Sequence, residues 1–214
     1  MNYRTLGKTG LRVSEVVFGG GAVGGLLIRG DDDTRRRAVA RALQAGINWI
    51  DTAPMYGQGA SEEAIGWLLD EIPAAERPYV ATKALLDPTV ADLAGQVEQS
   101  LRESLSRLQM DSVDLLQVHN LVDWEKHLET LLEWKKEGRV RYIGVTTSHG
   151  RRHEELAEIM ATQAIDFVQF TYNIVDRAAE RHLLPLAAER GLAVIINRPF
   201  KRGRLFDYVQ GKPL

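Results

Sequence analysis

Four side chains capable of acid–base chemistry stand at or just past the ends of short apolar runs. Asp51 closes INWID (47–51), Tyr56 follows in the loop behind it, Lys83 closes YVATK (79–83) and His119 closes VDLLQVH (113–119). Singly, each has an ordinary reading: a run-end lysine reaches solvent, a histidine bonds a neighbour, a loop tyrosine packs. Together they describe a proton-transfer device. A free phenol titrates near pH ~10, too high for easy donation at neutrality. An ammonium beside it stabilises the phenolate that donation leaves behind, so Lys83 would make Tyr56 a better acid. Asp51 would keep that ammonium charged in a partly dry pocket, and His119 could hydrogen-bond a substrate oxygen or share the proton. Such a set suits protonating a carbonyl oxygen while something else attacks the carbon. None of the four delivers hydride, so a reduction would draw on a nicotinamide cofactor.

The elements that must bring these residues together are legible as a repeat. Short runs rich in Val and Ile recur at 15–19, 47–51, 79–83, 113–119, 140–146, 166–172 and 192–197, each followed by a longer amphipathic or polar segment. Alternation of this kind predicts α/β architecture with a parallel sheet, and strands so uniformly apolar are covered on both faces. Units of about 30 residues, with no sign of a reversal in strand order, favour a (β/α)8 barrel over a doubly wound sandwich. In a barrel, the C-terminal strand ends converge on one face, which would gather the four residues. Such a barrel typically takes about 250 residues, so a chain of 214 residues reads as one barrel domain, 1–214, short of its eighth β/α unit. YRTLGKTGLRV (3–13) reads as a hairpin turning near Gly7–Gly10, placed to plug the barrel floor.

Composition narrows the function further. The net charge of −2 gives no electrostatic reason to expect nucleic acid or an anionic membrane as partner. No apolar run approaches the roughly 18–20 residues needed to span a bilayer, and MNYRTLGKTG lacks the apolar core of a secretory signal. With no cysteine, disulfides, thiolate zinc sites and cysteine nucleophiles are excluded, and the cytoplasm is the default compartment.

NWIDTAPMYG, VATK and LLQVHN, together with YRTLGKTGLRVSEVVFGGG and YGQGASEEAIGWLL, resemble the signatures of the aldo-keto reductases. The resemblance covers essentially the whole chain. It implies a TIM-type (β/α)8 barrel, NADP(H) or NAD(H) as cofactor, a small-molecule carbonyl or alcohol substrate, and an Asp–Tyr–Lys–His tetrad falling on Asp51, Tyr56, Lys83 and His119. It also implies a cofactor groove containing Gln169, Pro199 and Gly203, while Gly20 and Gly21 read as part of a flexible glycine loop beside the cofactor's nicotinamide end. Elsewhere in that groove the pattern departs: Thr146 and Thr147 stand where Ser/Asn-type residues are usual, Asn197 where an aromatic stacks on nicotinamide, and Arg198 where serine is usual. Phe200 lies close by, and Lys201 or Arg202 could contact the pyrophosphate. The segment that usually grips the adenosine phosphate follows the eighth strand, so the sequence does not choose between NADPH and NADH.

Other features carry less. A literal G-x-G-x-x-G runs from Gly19 to Gly24, but GLLIRGDDD separates it from the next long helix, and acids at that helix start would repel phosphate. It reads as a loop beside the nicotinamide end. His149 and His153 have no acidic ligand nearby and make a poor metal site. His127 and His182 read as solvated helix residues, Trp67 and Trp134 as packing, and Trp124 as packing or a pocket wall. Rival functions are a Schiff-base aldolase using Lys83, opposed by the Asp51 charge, and a non-catalytic nucleotide-binding or regulatory module, or an inactive fragment, on the reductase scaffold.

Overall fold

The structure, a computed structural model, describes residues 1–21, 23, 25–84 and 92–212, with no description of the side chains of Leu93 and Ala94. Two antiparallel strands, β1 (Tyr3–Thr5) and β2 (Arg12–Ser14), form the hairpin. Seven parallel strands follow: β3 (Phe18–Gly19), β4 (Trp49–Asp51), β5 (Tyr79–Ala84), β6 (Leu115–Val118), β7 (Tyr142–Thr146), β8 (Phe167–Thr171) and β9 (Ala193–Asn197). They pair in sequence order and curl into an incomplete (β/α)8 barrel. The described residues supply seven of the eight strands, leaving β3 and β9 as the two edges. The run expected at 15–19 contributes only Phe18 and Gly19, because β3 has a partner on one side alone.

Strand side chains alternate between two cores. Outward residues such as Ile50, Val80, Leu116, Ile143 and Val168 pack in one cluster beneath the helices. Inward residues Trp49, Ala81, Leu115, Phe167, Ala193 and Ile195 form a second cluster with Leu11 and Val13 of the hairpin. Trp49 stacks on Phe167 at 5.5 Å, and Tyr79 and Tyr142 pack beside them. The hairpin therefore seals the N-terminal end of the barrel, as the sequence predicts. Its backbone is tied down there as well: Lys8 N donates to Gly191 O at 2.8 Å, and the Tyr142 hydroxyl donates to Thr9 O at 3.0 Å. Gly7 has φ +47°, and a Cβ there would come within 2.4 Å of Gly191 O, so this turn admits only glycine without displacement.

The long helices are α2 (Asp32–Gln44), α3 (Ala60–Asp70), α4 (Leu93–Leu108), α5 (Trp124–Lys136), α6 (His153–Thr162) and α7 (Leu183–Arg190), preceded by a short α1 (Leu26–Arg29) and followed by α8 (Arg204–Val209). The sequence reading missed α1, whose four residues sit within the glycine-rich stretch. Ala22, Gly24 and the expected helix start near 90 lie outside the described residues. Asp31 caps α2, accepting from Thr34 N at 2.8 Å, so the acids at that helix start have a local structural role. One expectation is overturned: His127 is not solvated but wholly buried. It lies on the inner stripe of α5 with Leu131 and Trp134, at helical spacing. His182 is exposed. Trp134 is buried, Trp67 carries the Arg36 guanidinium 4.0 Å from its ring centroid, and Trp124 packs on the outer core while donating to Glu155 at 3.1 Å.

Candidate active site

At the C-terminal ends of β4 and β5, two opposite charges meet in a dry place. The Lys83 ammonium donates to both Asp51 carboxylate oxygens, at 2.9 and 3.1 Å, and to Thr52 O at 2.7 Å. The side chains of Lys83 and Asp51 are only 3% and 10% exposed. Burial is the largest single influence on Lys83 and works against its charge. The Asp51 carboxylate and the Tyr56 phenol outweigh it and hold the ammonium above the ordinary lysine range. The pair is completed by Gln169 on β8, whose amide nitrogen lies 3.4 Å from Asp51 Oδ2.

Tyr56 enters from the loop between β4 and α3, with the Lys83 ammonium 5.3 Å from its ring centroid. His119 follows Val118, the last residue of β6, and opens a short 3-10 turn; its ring meets the Tyr56 ring edge-on, with centroids 6.5 Å apart. Burial, and then the charge of Lys83, pull the His119 pKa down to about 4. The imidazole is accordingly neutral at physiological pH, a hydrogen-bonding group and not a cation. A pH–rate profile is expected to show no ionisation of His119 between about pH 5 and 8, because the ring charges only as pH falls through its depressed value. A limb near pH 6.5 that vanishes in His119→Gln would contradict this.

Gly20 and Gly21 lie against this group. Gly20 N donates to Asp51 O at 2.8 Å, while Gly20 O accepts from Ser61 Oγ at 2.9 Å. A Cβ on Gly21 would lie 3.6 Å from the Tyr56 ring. Ser61, which also bonds Thr52 Oγ1 at 2.9 Å, is a supporting residue that sequence reasoning missed. Its signal was its place on the buried stripe of α3, beside Glu62, Ile65 and Leu69.

The remaining predicted groove residues line the ends of β7, β8 and β9. Thr146 Oγ1 accepts from Asn120 N at 3.2 Å. Thr147 Oγ1 and Gln169 Oε1 are buried without a hydrogen-bond partner among the described residues. A threonine hydroxyl can donate and an amide oxygen accepts, so these two offer what the C=O and NH2 of a primary carboxamide require. Asn197, at the end of β9, directs its amide to Thr147 O at 2.9 Å, cross-linking two loops. Phe200 stacks on Phe206, centroids 5.0 Å apart, and remains 52% exposed. Arg198 and Arg202 both turn their guanidinium groups to His149. Pro199 lies between Arg198 and Phe200, and Gly203, with φ +89°, leads into α8. A cleft of about 780 Å³, walled by Val16, Gly21, Tyr56, Gln169, Asn197 and Phe200 among others, opens on Asp51. Among the described residues, no helix is long and apolar enough to cross a membrane.

Comparison with known proteins places this arrangement among relatives. The model of the aldo/keto reductase family matches residues 15–213. The chain is 32% identical over 214 residues to the aldo-keto reductase YhdN of Bacillus subtilis, covering 96% of this chain and 64% of that protein. It is likewise 32% identical to the NADH-specific methylglyoxal reductase of Escherichia coli, over 96% of this chain and 71% of the other. Among solved structures, the holo form of aldo-keto reductase AKR11C1 from Bacillus halodurans superposes with a TM-score of 0.81 at 29% identity, covering 100% of this chain and 70% of that one. The chain thus spans about two thirds of the length of these relatives.

Proposed function

The chain belongs to the aldo/keto reductase family, and on that premise we propose that its site interconverts an aldehyde, ketone or sugar carbonyl and the alcohol with NADP(H), or alternatively NAD(H). The observation that carries this reading is the Lys83 ammonium, clamped on Asp51 and close to the Tyr56 ring in a water-poor pocket. Tyr56 gives its proton to the substrate oxygen. Lys83 lowers the cost of the phenolate that remains, and Asp51 keeps Lys83 charged and non-nucleophilic, which opposes a Schiff-base role. His119, neutral, orients the carbonyl by a hydrogen bond. A bound nicotinamide cofactor supplies the hydride. Gln169 and Thr147 would hold its carboxamide, with Thr146, Gly20 and Gly21 alongside, and Asn197, Arg198, Pro199, Phe200, Arg202 and Gly203 forming the outer groove.

The reductase of Escherichia coli is named for NADH and methylglyoxal; for this chain we carry over only a small-molecule carbonyl. Its composition suits work in the cytoplasm. A second reading, nucleotide binding without turnover, is favoured by Asn197, whose amide is committed to Thr147 O where the family resemblance leads one to expect an aromatic face. Fluorescence titration of NADPH, then NADH, into the 214-residue chain tests the cofactor assignment. Saturable binding is expected. A folded chain that binds neither would overturn both readings.

A further inference from the structure

The turn that follows His119 is strained, and an arginine from another loop holds it. Asn120, Leu121 and Asp123 have φ of 56°, 55° and 42°, a left-handed conformation that non-glycine residues seldom adopt. Backbone of this kind persists only where its surroundings over-determine it. Here Leu121 is wholly buried, and Asn120 N donates to Thr146 Oγ1 at 3.2 Å. Arg152 Nη1 donates to both Asn120 O and Leu121 O, at 2.8 and 3.1 Å.

Arg152 does not suit its own position by local rules. It stands at the N-cap of α6, where Ser, Thr, Asp or Asn would ordinarily accept from the first turn. Instead it has φ 57°, and its side chain makes no capping hydrogen bond among the described residues. The guanidinium reaches across 32 and 31 residues to the two carbonyls. The rest of its fork closes on Glu155: Nε donates to Oε2 and Nη2 to Oε1, both at 2.5 Å. Glu155 Oε1 also accepts from Trp124 Nε1 at 3.1 Å, which ties the fork to the start of α5. The Arg152 hydrogen bond holds the Glu155 carboxyl below the usual carboxylate range, so the pair is ionised at neutral pH. As a bare ion pair, with side chains 43% and 32% exposed, it would contribute little. The two carbonyl bonds beside His119 give it a different role.

We propose that Arg152, oriented by Glu155, is a positioning residue for His119: it locks the left-handed turn and so keeps the imidazole edge-on to the Tyr56 ring, facing the substrate oxygen. The kinetic consequence rests on the proposed reductase function; the placement of the ring does not. Without Arg152 the two carbonyls would turn to water and the turn would relax. The imidazole would then lose the enclosure that keeps it neutral, and a displacement of about 1 Å at a reacting centre costs on the order of 10²-fold in rate.

The test is an NMR titration of the histidine rings in the whole chain, for wild type, Arg152→Ala, Arg152→Lys and Glu155→Gln, with the His119 signal assigned by its loss in His119→Gln. In wild type the His119 ring is expected to titrate at about 4. In Arg152→Ala it should move toward the free-imidazole value of about 6.5. Arg152→Lys, which keeps a donor for the carbonyls, and Glu155→Gln, which loosens the fork, should lie between, and they carry the comparison if Arg152→Ala does not fold. A His119 ring titrating near 6.5 already in wild type, or alike in all the folded chains, would overturn the proposal whether or not a carbonyl is turned over. Kinetics add a second reading. Arg152→Ala is expected to lower kcat/KM at least about tenfold with NADPH affinity within about twofold, and to add little in a His119→Gln background. Full additivity of the two losses would equally overturn the proposal, whereas a wild type without turnover would count against the reductase reading alone.

Discussion

Tyr56→Phe is expected to lower kcat for carbonyl reduction by about 10²–10⁴-fold, the range typical of a removed general acid, while leaving cofactor affinity within about twofold. The change deletes one oxygen and keeps the ring, so the edge-on contact with His119 and the proximity to Gly21 persist. Folding should accordingly be unaffected. Steady-state kinetics and a cofactor titration on the same preparation separate the two effects. Wild-type turnover in the variant would remove Tyr56 from the mechanism and, with His119 held neutral at the pH of the assay, leave the Lys83 ammonium as the acid of the site.

Lys83→Met is expected to act on both activity and stability. Methionine fills similar space but leaves the buried Asp51 carboxylate without the ammonium that bonds both of its oxygens. Removing one partner of a buried ion pair costs about 3–5 kcal/mol, which urea unfolding would register as a fall in midpoint at constant slope. Turnover should fall as far as in Tyr56→Phe, because the phenolate loses its neighbouring charge. The double variant Asp51→Leu/Lys83→Met discriminates between the two roles. Stability should largely return once no unpaired charge remains, and turnover should not. Recovery of turnover in the double variant would show that the pair serves the fold alone.

Much of this arrangement was readable from the sequence because a strand end announces itself. Asp51 and Lys83 each interrupt an apolar run, and parallel strands of one barrel must deliver their C-terminal ends to one face. The hairpin was equally plain, since Gly7 and Gly10 punctuate an alternating stretch. What escaped depends on contacts between loops distant in sequence. Nothing local to His149 indicates that Arg198, 49 residues on, will share its ring. Ser61 bonds Gly20 across 41 residues; its place on the buried stripe of α3 signals burial but does not name that partner. His127 was misread for a related reason: its position fits the apolar stripe of α5, but its polar ring argued for solvent. Asn197 was identified as a departure from the family pattern, yet its actual bond, to Thr147 O on another loop, emerged only once β7 and β9 were placed.

The central claim, that this site reduces a carbonyl at the expense of a nicotinamide cofactor, is tested most directly by absorbance at 340 nm. Purified 214-residue chain, NADPH or NADH, and a panel of small aldehydes and ketones suffice. The account predicts a substrate-dependent, saturable loss of absorbance with at least one cofactor–carbonyl pair. Saturable cofactor binding by a folded chain, with no absorbance loss for any carbonyl, would contradict it and leave nucleotide binding without turnover as the function.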